Sequence, residues 1–327
     1  MNIVFTSEQG FVGKVDKDFD NMRTEYAWFL MLDAFHLPYT EAFNPDSPYA
    51  SVLETADLVI MIPSKKYPEC LKLAFMLKDK KIDFAIMQEG PHNIWADWPA
   101  VYQVMYMAII KKLAKVVLCH NKYDQKYFEG LTHQPVLVLP SVQDINKWKD
   151  EIIEVNQKSE TVFVGGNLCR WYNGMISFDV ANQPNMKHII FPSMGRAQSD
   201  EEDIMKQLDQ RVQYMPYMTW SDFMINLAKV KYAVHMMPEV AAGSFMLNCA
   251  MLGIPCIGNK LEDTQKFLFP ELSVDVTDIK KAKELMMRLA TDEIFYNSVR
   301  SLALERVKQL DIEFVKKDFL KQLEKVL

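Results

Sequence analysis

Three stretches of the chain bring chemically useful groups close together. Residues 87 to 99 read Met-Gln-Glu-Gly-Pro-His-Asn-Ile-Trp-Ala-Asp-Trp-Pro. Glu89 and His92 are both able to take a proton from a hydroxyl, with Glu89 the first choice and His92 its rival. Trp95 and Trp98 offer flat faces for a sugar or nucleobase, or else cover a core. Residues 161 to 174 run from apolar residues into Gly165-Gly166, with Arg170 four residues later. Glycines allow close backbone approach, and an arginine fork suits phosphate oxygens, so this is a candidate diphosphate clamp. In residues 237 to 259, the small residues Ala241, Ala242 and Gly243 lead into a helix expected to start at Ser244 and close at Gly253. Unpaired N–H groups at such a start suit an anion such as a diphosphate. Ser244 is the expected N-cap and Gly253 the C′ residue. The same stretch also reads as a plain αβ unit of a parallel sheet.

The elements that must position these groups follow from hydrophobic patterning. Continuous apolar runs at 2–6, 56–62, 82–88, 115–119 and 136–139 alternate with amphipathic helices at 24–35, 68–78, 100–113 and 121–129. Strands apolar on both faces indicate a parallel sheet covered by helices on both sides. A polar stretch at 140–160 interrupts the alternation, which restarts at 161. The expected division is a first domain at 1–145, a second at 146–311, and a helix at 312–327 able to cross back to the first. The fold class is α/β, with two Rossmann-like parallel-sheet domains facing across a cleft. Ligands in such sheets sit at the carboxyl ends of the strands.

Composition narrows the function classes. A chain of 327 residues, 49% hydrophobic and 24% charged, is an ordinary two-domain protein. Its net charge of −6 argues against coating nucleic acid by charge alone, although 37 Lys and Arg leave room for a local basic groove. No apolar run reaches the roughly 18 residues of a membrane span. The start, Met-Asn-Ile-Val-Phe-Thr, has no basic leader, so a cytoplasmic location is expected. Five widely spaced cysteines without a C-x-x-C pair suggest neither a disulfide frame nor a zinc site. Asp16, Asp18 and Asp20 lack the glycine and distal glutamate of a calcium loop and read as a solvated acidic turn. No metal is expected.

The pattern Glu239, Gly243–Ser244, Ala250, Gly253, Pro255, Ile257 resembles the donor-binding end of GT-B glycosyltransferases. The resemblance implies a nucleoside diphosphate sugar as donor, most simply a UDP-sugar, with no cofactor. Asn248 stands near the place where that family carries a glutamate for the donor ribose. Gly10 and Gly13 match a glycine loop near the reacting centre. The donor diphosphate would then meet Arg170, Arg196 and the N–H groups of Gly243 and Ser244. A narrower likeness is to the phage DNA β-glucosyltransferases. Glu89 falls near their presumed base, and Trp98–Pro99, Gly165–Gly166 and Arg170 follow in order. Glu25 matches a donor-sugar carboxylate, and Tyr217 or Met218 falls where the uracil ring is met. The implied activity is sugar transfer to a hydroxyl, either of a hydroxymethylated base in phage DNA within a host cytoplasm or of a cell-surface or capsule glycan. A sugar-nucleotide epimerase and a non-catalytic binder are the alternatives, and the oligomeric state stays open.

Overall fold

The computed structural model describes every residue except Met22, Lys65, 146–157, Arg170 and 193–199. The chain divides into two compact units. One holds Met1–Phe19, Arg23–Val142 and Ile312–Leu327, and the other Asp20–Met22 and Gln143–Asp311.

The first unit is built on seven strands: β1 (Ile3–Ser7), β2 (Gly13–Lys14), β3 (Phe35–Pro38), β4 (Leu58–Met61), β5 (Phe84–Met87), β6 (Val116–Cys119) and β7 (Val136–Val138). Their order is β2-β3-β1-β4-β5-β6-β7, parallel throughout except for β2, which runs antiparallel to β3. Every residue of β1, β4, β5 and β6 is buried. The period-2 pleat still sorts them onto two faces. Val4, Val59, Met61, Ile86 and Val117 join one cluster, while Phe5, Ile60, Met87 and Leu118 join another. The C-terminal helix Ile312–Glu324 covers the second face with Phe319 and Leu323, beside the helix Thr24–Met31.

The second unit carries β8 (Lys158–Val164), β9 (His188–Pro192), β10 (Val212–Met215), β11 (Val230–His235), β12 (Cys256–Asn259) and β13 (Ser273–Val274). Its order is β10-β9-β8-β11-β12-β13, all parallel. Each sheet therefore has a point where the chain reverses its direction of winding, between β1 and β4 in the first unit and between β8 and β11 in the second. Open α/β sheets bind ligands just beyond the strand ends at such points.

Strands β2, β3 and β13 went unread in the sequence. Two are only two residues long, and β3 holds His36 inside its apolar run. That imidazole is fully buried but satisfied: Nδ1 donates to Phe11 O at 2.7 Å and Nε2 accepts from Ser7 Oγ at 2.8 Å. The expected helix over 100–113 is an α-helix at Ala100–Ala108 that widens into a π-turn at Ile109–Leu113.

The helix Ser244–Met251 corrects one expectation. Its N-cap is Gly243, at φ +76°, and Ser244 is the first helical residue. A side chain at 243 would strain a left-handed backbone, and its Cβ would meet Thr264 Cβ at 2.5 Å. At the other end Gly253 (φ +63°) donates to Ala250 O at 3.1 Å and Ile254 donates to Cys249 O at 2.8 Å, the two bonds of a Schellman stop.

Candidate functional site

In the first unit the carboxyl ends of the strands assemble a group of carboxylates. Glu8 follows β1 directly, and at the switch point it accepts Ser64 Oγ–H from beyond β4 at 2.5 Å. Its other oxygen meets Arg23 at 3.3 Å. Glu25 lies in the first turn of Thr24–Met31, where the helix dipole favours an acid. It is only 6% exposed. Burial, then the charge of Glu89, raises its pKa to about 7. Burial alone would lower the pKa of Arg23, but Glu25, Glu8 and Glu89 together raise it. Three carboxylates thus share the field of one guanidinium.

His92 lies on the same loop as Glu89. Its Nδ1 is 3.0 Å from Asp124 Oδ1, and Asp124 is fully buried. Asn121, the N-cap of Lys122–Leu131, bonds the other Asp124 oxygen through Nδ2 at 3.1 Å. A carboxylate only accepts, so Nδ1 carries the proton in this pair. The ring rests on Tyr127 with centroids 4.3 Å apart.

The two tryptophans part company. Trp95 is half-buried and stacks on Tyr106 at 5.8 Å. Trp98 is 6% exposed and meets Tyr106 edge-on, so it serves the core of this unit and not an acceptor face. The glycine loop is tethered rather than free. Phe11, between Gly10 and Gly13, stacks on His36 at 4.3 Å, and Gly13 pairs with His36 across β2 and β3. Gly13 needs its φ of +117°, while a Cβ on Gly10 would meet nothing within 4 Å.

In the second unit the switch point is closed by three segments. Gly165 leaves β8 and donates to Val234 O at 2.8 Å. A Cβ on Gly165 would sit 2.4 Å from His235 Nδ1, and one on Gly166 2.5 Å from Tyr172 Cβ. His235, the last residue of β11, packs on Phe245 of the Ser244–Met251 helix at 5.3 Å. Burial lowers its pKa to about 4, so the ring is neutral. Met236 is held on both sides, its N–H donating to Ser177 Oγ at 2.9 Å and its carbonyl accepting from Asn173 Nδ2 at 3.2 Å.

The loop that holds Glu239 and leads to Gly243 is held from the end of β12 and the turn after it. Asn259 Nδ2 donates to Met237 O at 3.0 Å and Pro238 O at 3.3 Å, and Ala241 N–H donates to Glu262 at 2.8 Å. Glu239 itself is half-buried. Asn248, one turn into the helix, is 5% exposed, and its Oδ1 has no hydrogen-bond partner among the described residues. Tyr217, 60% exposed, and half-buried Met218 follow the edge strand β10, two strands from β8. Arg170 and Arg196 lie outside the described residues.

The structure therefore couples Glu25 to Glu89 in one unit, and in the other places Gly243, Ser244 and Asn248 on one helix start, while Gly166 packs on Tyr172 and its neighbour Gly165 lies against Phe245 of that helix. Sequence reasoning passed over Glu8, Asp124, His235, Asn259 and Glu262. The signal for three of them was present: Glu8, His235 and Asn259 stand at or next to the last residue of an apolar strand. Among the described residues no group of three or more His, Cys, Asp or Glu could hold a metal ion, and no helix is long and apolar enough to cross a membrane.

No protein-family model and no curated protein sequence matches the chain. Solved structures do. The Anabaena protein HepE (Alr3699), solved with UDP and glucose, is 14% identical with a TM-score of 0.71 over 99% of both chains. Sucrose-phosphate synthase from Thermosynechococcus elongatus is 12% identical, with a TM-score of 0.68 over the whole of both chains. The E. coli trehalose-6-phosphate protein, solved with UDP-2-fluoro glucose, is 10% identical, with a TM-score of 0.66 over the whole of both chains. With two Rossmann-like sheets matched along their full length, the chain has the GT-B fold.

Proposed function

We propose that the chain is a glycosyltransferase that moves a sugar from a UDP-sugar to a hydroxyl. The observation that carries this reading is the second unit's switch point. Two nine-tenths-buried polar atoms, His235 Nδ1 and Asn248 Oδ1, lie by a helix start capped by a glycine and have no hydrogen-bond partner among the described residues. A ligand seated at this helix start would supply the bonds these two atoms lack. Likeness to HepE, which holds UDP-glucose, supports the donor class.

In this reading the N–H groups at Gly243 and Ser244, together with Arg170 and Arg196, stabilise the charge of the departing diphosphate. Asn248 Oδ1 accepts a ribose hydroxyl, Tyr217–Met218 meet the base, and Glu239 and Glu25 face the donor sugar. Gly166 lets the diphosphate approach the backbone. Glu89 takes the acceptor proton. A second reading of the base is His92, favoured by the buried Asp124 that fixes its tautomer. Trp95 remains as the ring beside the acceptor. The net charge of −6 and the carbohydrate neighbours favour a glycan or sugar hydroxyl over a hydroxymethylated base in phage DNA.

A panel of nucleotide sugars in a thermal-shift assay tests the donor, because a bound donor raises the melting temperature by mass action. UDP-glucose is expected to do so, and a flat response to every UDP-sugar would overturn the reading. A salt-sensitive gel shift with hydroxymethylcytosine duplex, absent with plain glycan, would reverse the order of acceptors.

A further inference from the structure

The helix Ala100–Ala108 turns one face to solvent, and that face is apolar. Val101 is 60% exposed and Val104 70%, Ala108 and Lys112 continue the stripe at three-four-four spacing, and exposed Lys111 stands beside it. The opposite side, with Tyr106, Ile109 and Ile110, is buried in the first unit. An outward valine gains nothing from that core, and its β-branch lowers helix propensity. A glutamine or glutamate would suit the helix better at both places.

Charge on this stretch is one-sided. From Trp98 to Tyr123 the chain holds four lysines and no Asp or Glu. Lys115 meets Asp83 at 3.5 Å, whereas Lys111 and Lys112 form no ion pair among the described residues. The helix Lys72–Asp79 packs against the π-turn Ile109–Leu113 and exposes Lys72 and Phe75, three residues apart. The short helix Pro68–Leu71 packs on Ala100–Ala108, and Tyr67, 65% exposed, precedes it. The carboxylate of Glu69 there is engaged, accepting Tyr102 O–H at 3.0 Å.

Valines followed by unpaired lysines say what covers the face. Protein interfaces are poor in lysine and draw their energy from tryptophan, tyrosine and arginine anchors, which the stripe lacks. A bilayer with anionic lipid supplies both halves of the match. Its headgroup boundary takes short apolar side chains, and its phosphates take ammonium groups.

We infer that this face of the first unit docks on a membrane surface rich in anionic lipid, with Val101 and Val104 entering the headgroup boundary and Lys111 and Lys112 meeting the phosphates. The attachment is peripheral, and it does not rest on the UDP-sugar reading.

Flotation of the intact chain with lipid vesicles tests this. The chain should rise with vesicles of phosphatidylcholine and phosphatidylglycerol in equal parts, stay behind with phosphatidylcholine alone, and be released as salt is raised. Replacing both valines (Val101→Ser, Val104→Ser) should weaken vesicle binding about tenfold or more. Replacing both lysines (Lys111→Gln, Lys112→Gln) should weaken it about tenfold. All four side chains are exposed, so both double variants should melt with the wild type. No flotation with the anionic vesicles overturns the inference. Flotation undiminished in either double variant overturns it too, because the contact then lies on another surface. A dimer in light scattering that the valine variant splits would put a second copy on this face and overturn it as well.

Discussion

Glu262 accepts the backbone N–H of Ala241 at 2.8 Å, which ties the loop after β12 to the loop that leads into the Ser244 helix. The bond joins residues 21 positions apart and fixes the backbone two residues before the helix cap. Glu262→Ala removes the acceptor of a part-buried hydrogen bond, at about 1 kcal/mol. UDP affinity is expected to fall roughly tenfold. Glu262→Gln keeps an accepting oxygen and should bind UDP within about threefold of wild type. Equal losses in both variants, read by calorimetric titration, would show that charge and not loop placement matters.

Glycine is required at some of these positions and not at others. Gly243→Ala meets both a left-handed backbone and Thr264, and should cost about 2 kcal/mol or more. Gly10→Ala meets open space and should change stability by no more than about 0.5 kcal/mol. Urea melts of the two variants check this. A Gly10→Ala chain as damaged as Gly243→Ala would contradict the described loop.

Three buried groups give stability opposite dependences on pH. Burial and the charge of Glu89 raise Glu25 from 4.5 to about 7, so the folded chain keeps a proton that the unfolded chain releases. Stability from this group declines as pH rises from 4.5 to about 7 and is absent above. His36 and His235, lowered by burial from 6.5 to about 4, act the other way: the unfolded chain gains protons first as pH falls, and stability is lost from 6.5 down to 4. Glu25→Gln removes the first effect and keeps the second. Its melting temperature should climb relative to wild type as pH goes from 4.5 to 7, then hold a constant lead. A gap that does not change with pH would contradict the burial of Glu25, and with it the added charge of Glu89.

The assignment of the base is separable from donor binding. Glu89→Gln should cut turnover by about 10²–10⁴-fold with UDP affinity unchanged. His92→Asn should cost far less if Glu89 takes the proton. The reverse ranking in single-turnover assays would give the role to His92 and make Asp124 its positioning residue.

Much of the architecture was legible because parallel strands buried on both faces leave plain apolar runs. Leu58–Met61, Phe84–Met87 and Val116–Cys119 could be read at once. β3 could not, since His36 looks polar until Ser7 and Phe11 are known to satisfy it. The Gly243 turn was legible from its small residues, but its cap was misplaced by one: serine is the usual capping residue, and only the Thr264 contact shows why glycine takes that place here. Trp98 was ambiguous for the same reason, as a tryptophan after a strand covers a ligand or a core with equal chemistry. The pairs Glu8–Ser64, His92–Asp124 and Ala241–Glu262 join residues 56, 32 and 21 positions apart. Such pairings arise from sheet order, which a single sequence does not display.

The most direct measurement is a calorimetric titration of the intact chain with UDP and, separately, with uridine at neutral pH. A site built around a diphosphate at the β8/β11 switch point predicts saturable UDP binding at least tenfold tighter than uridine. UDP binding no tighter than uridine, or no UDP binding, would contradict it.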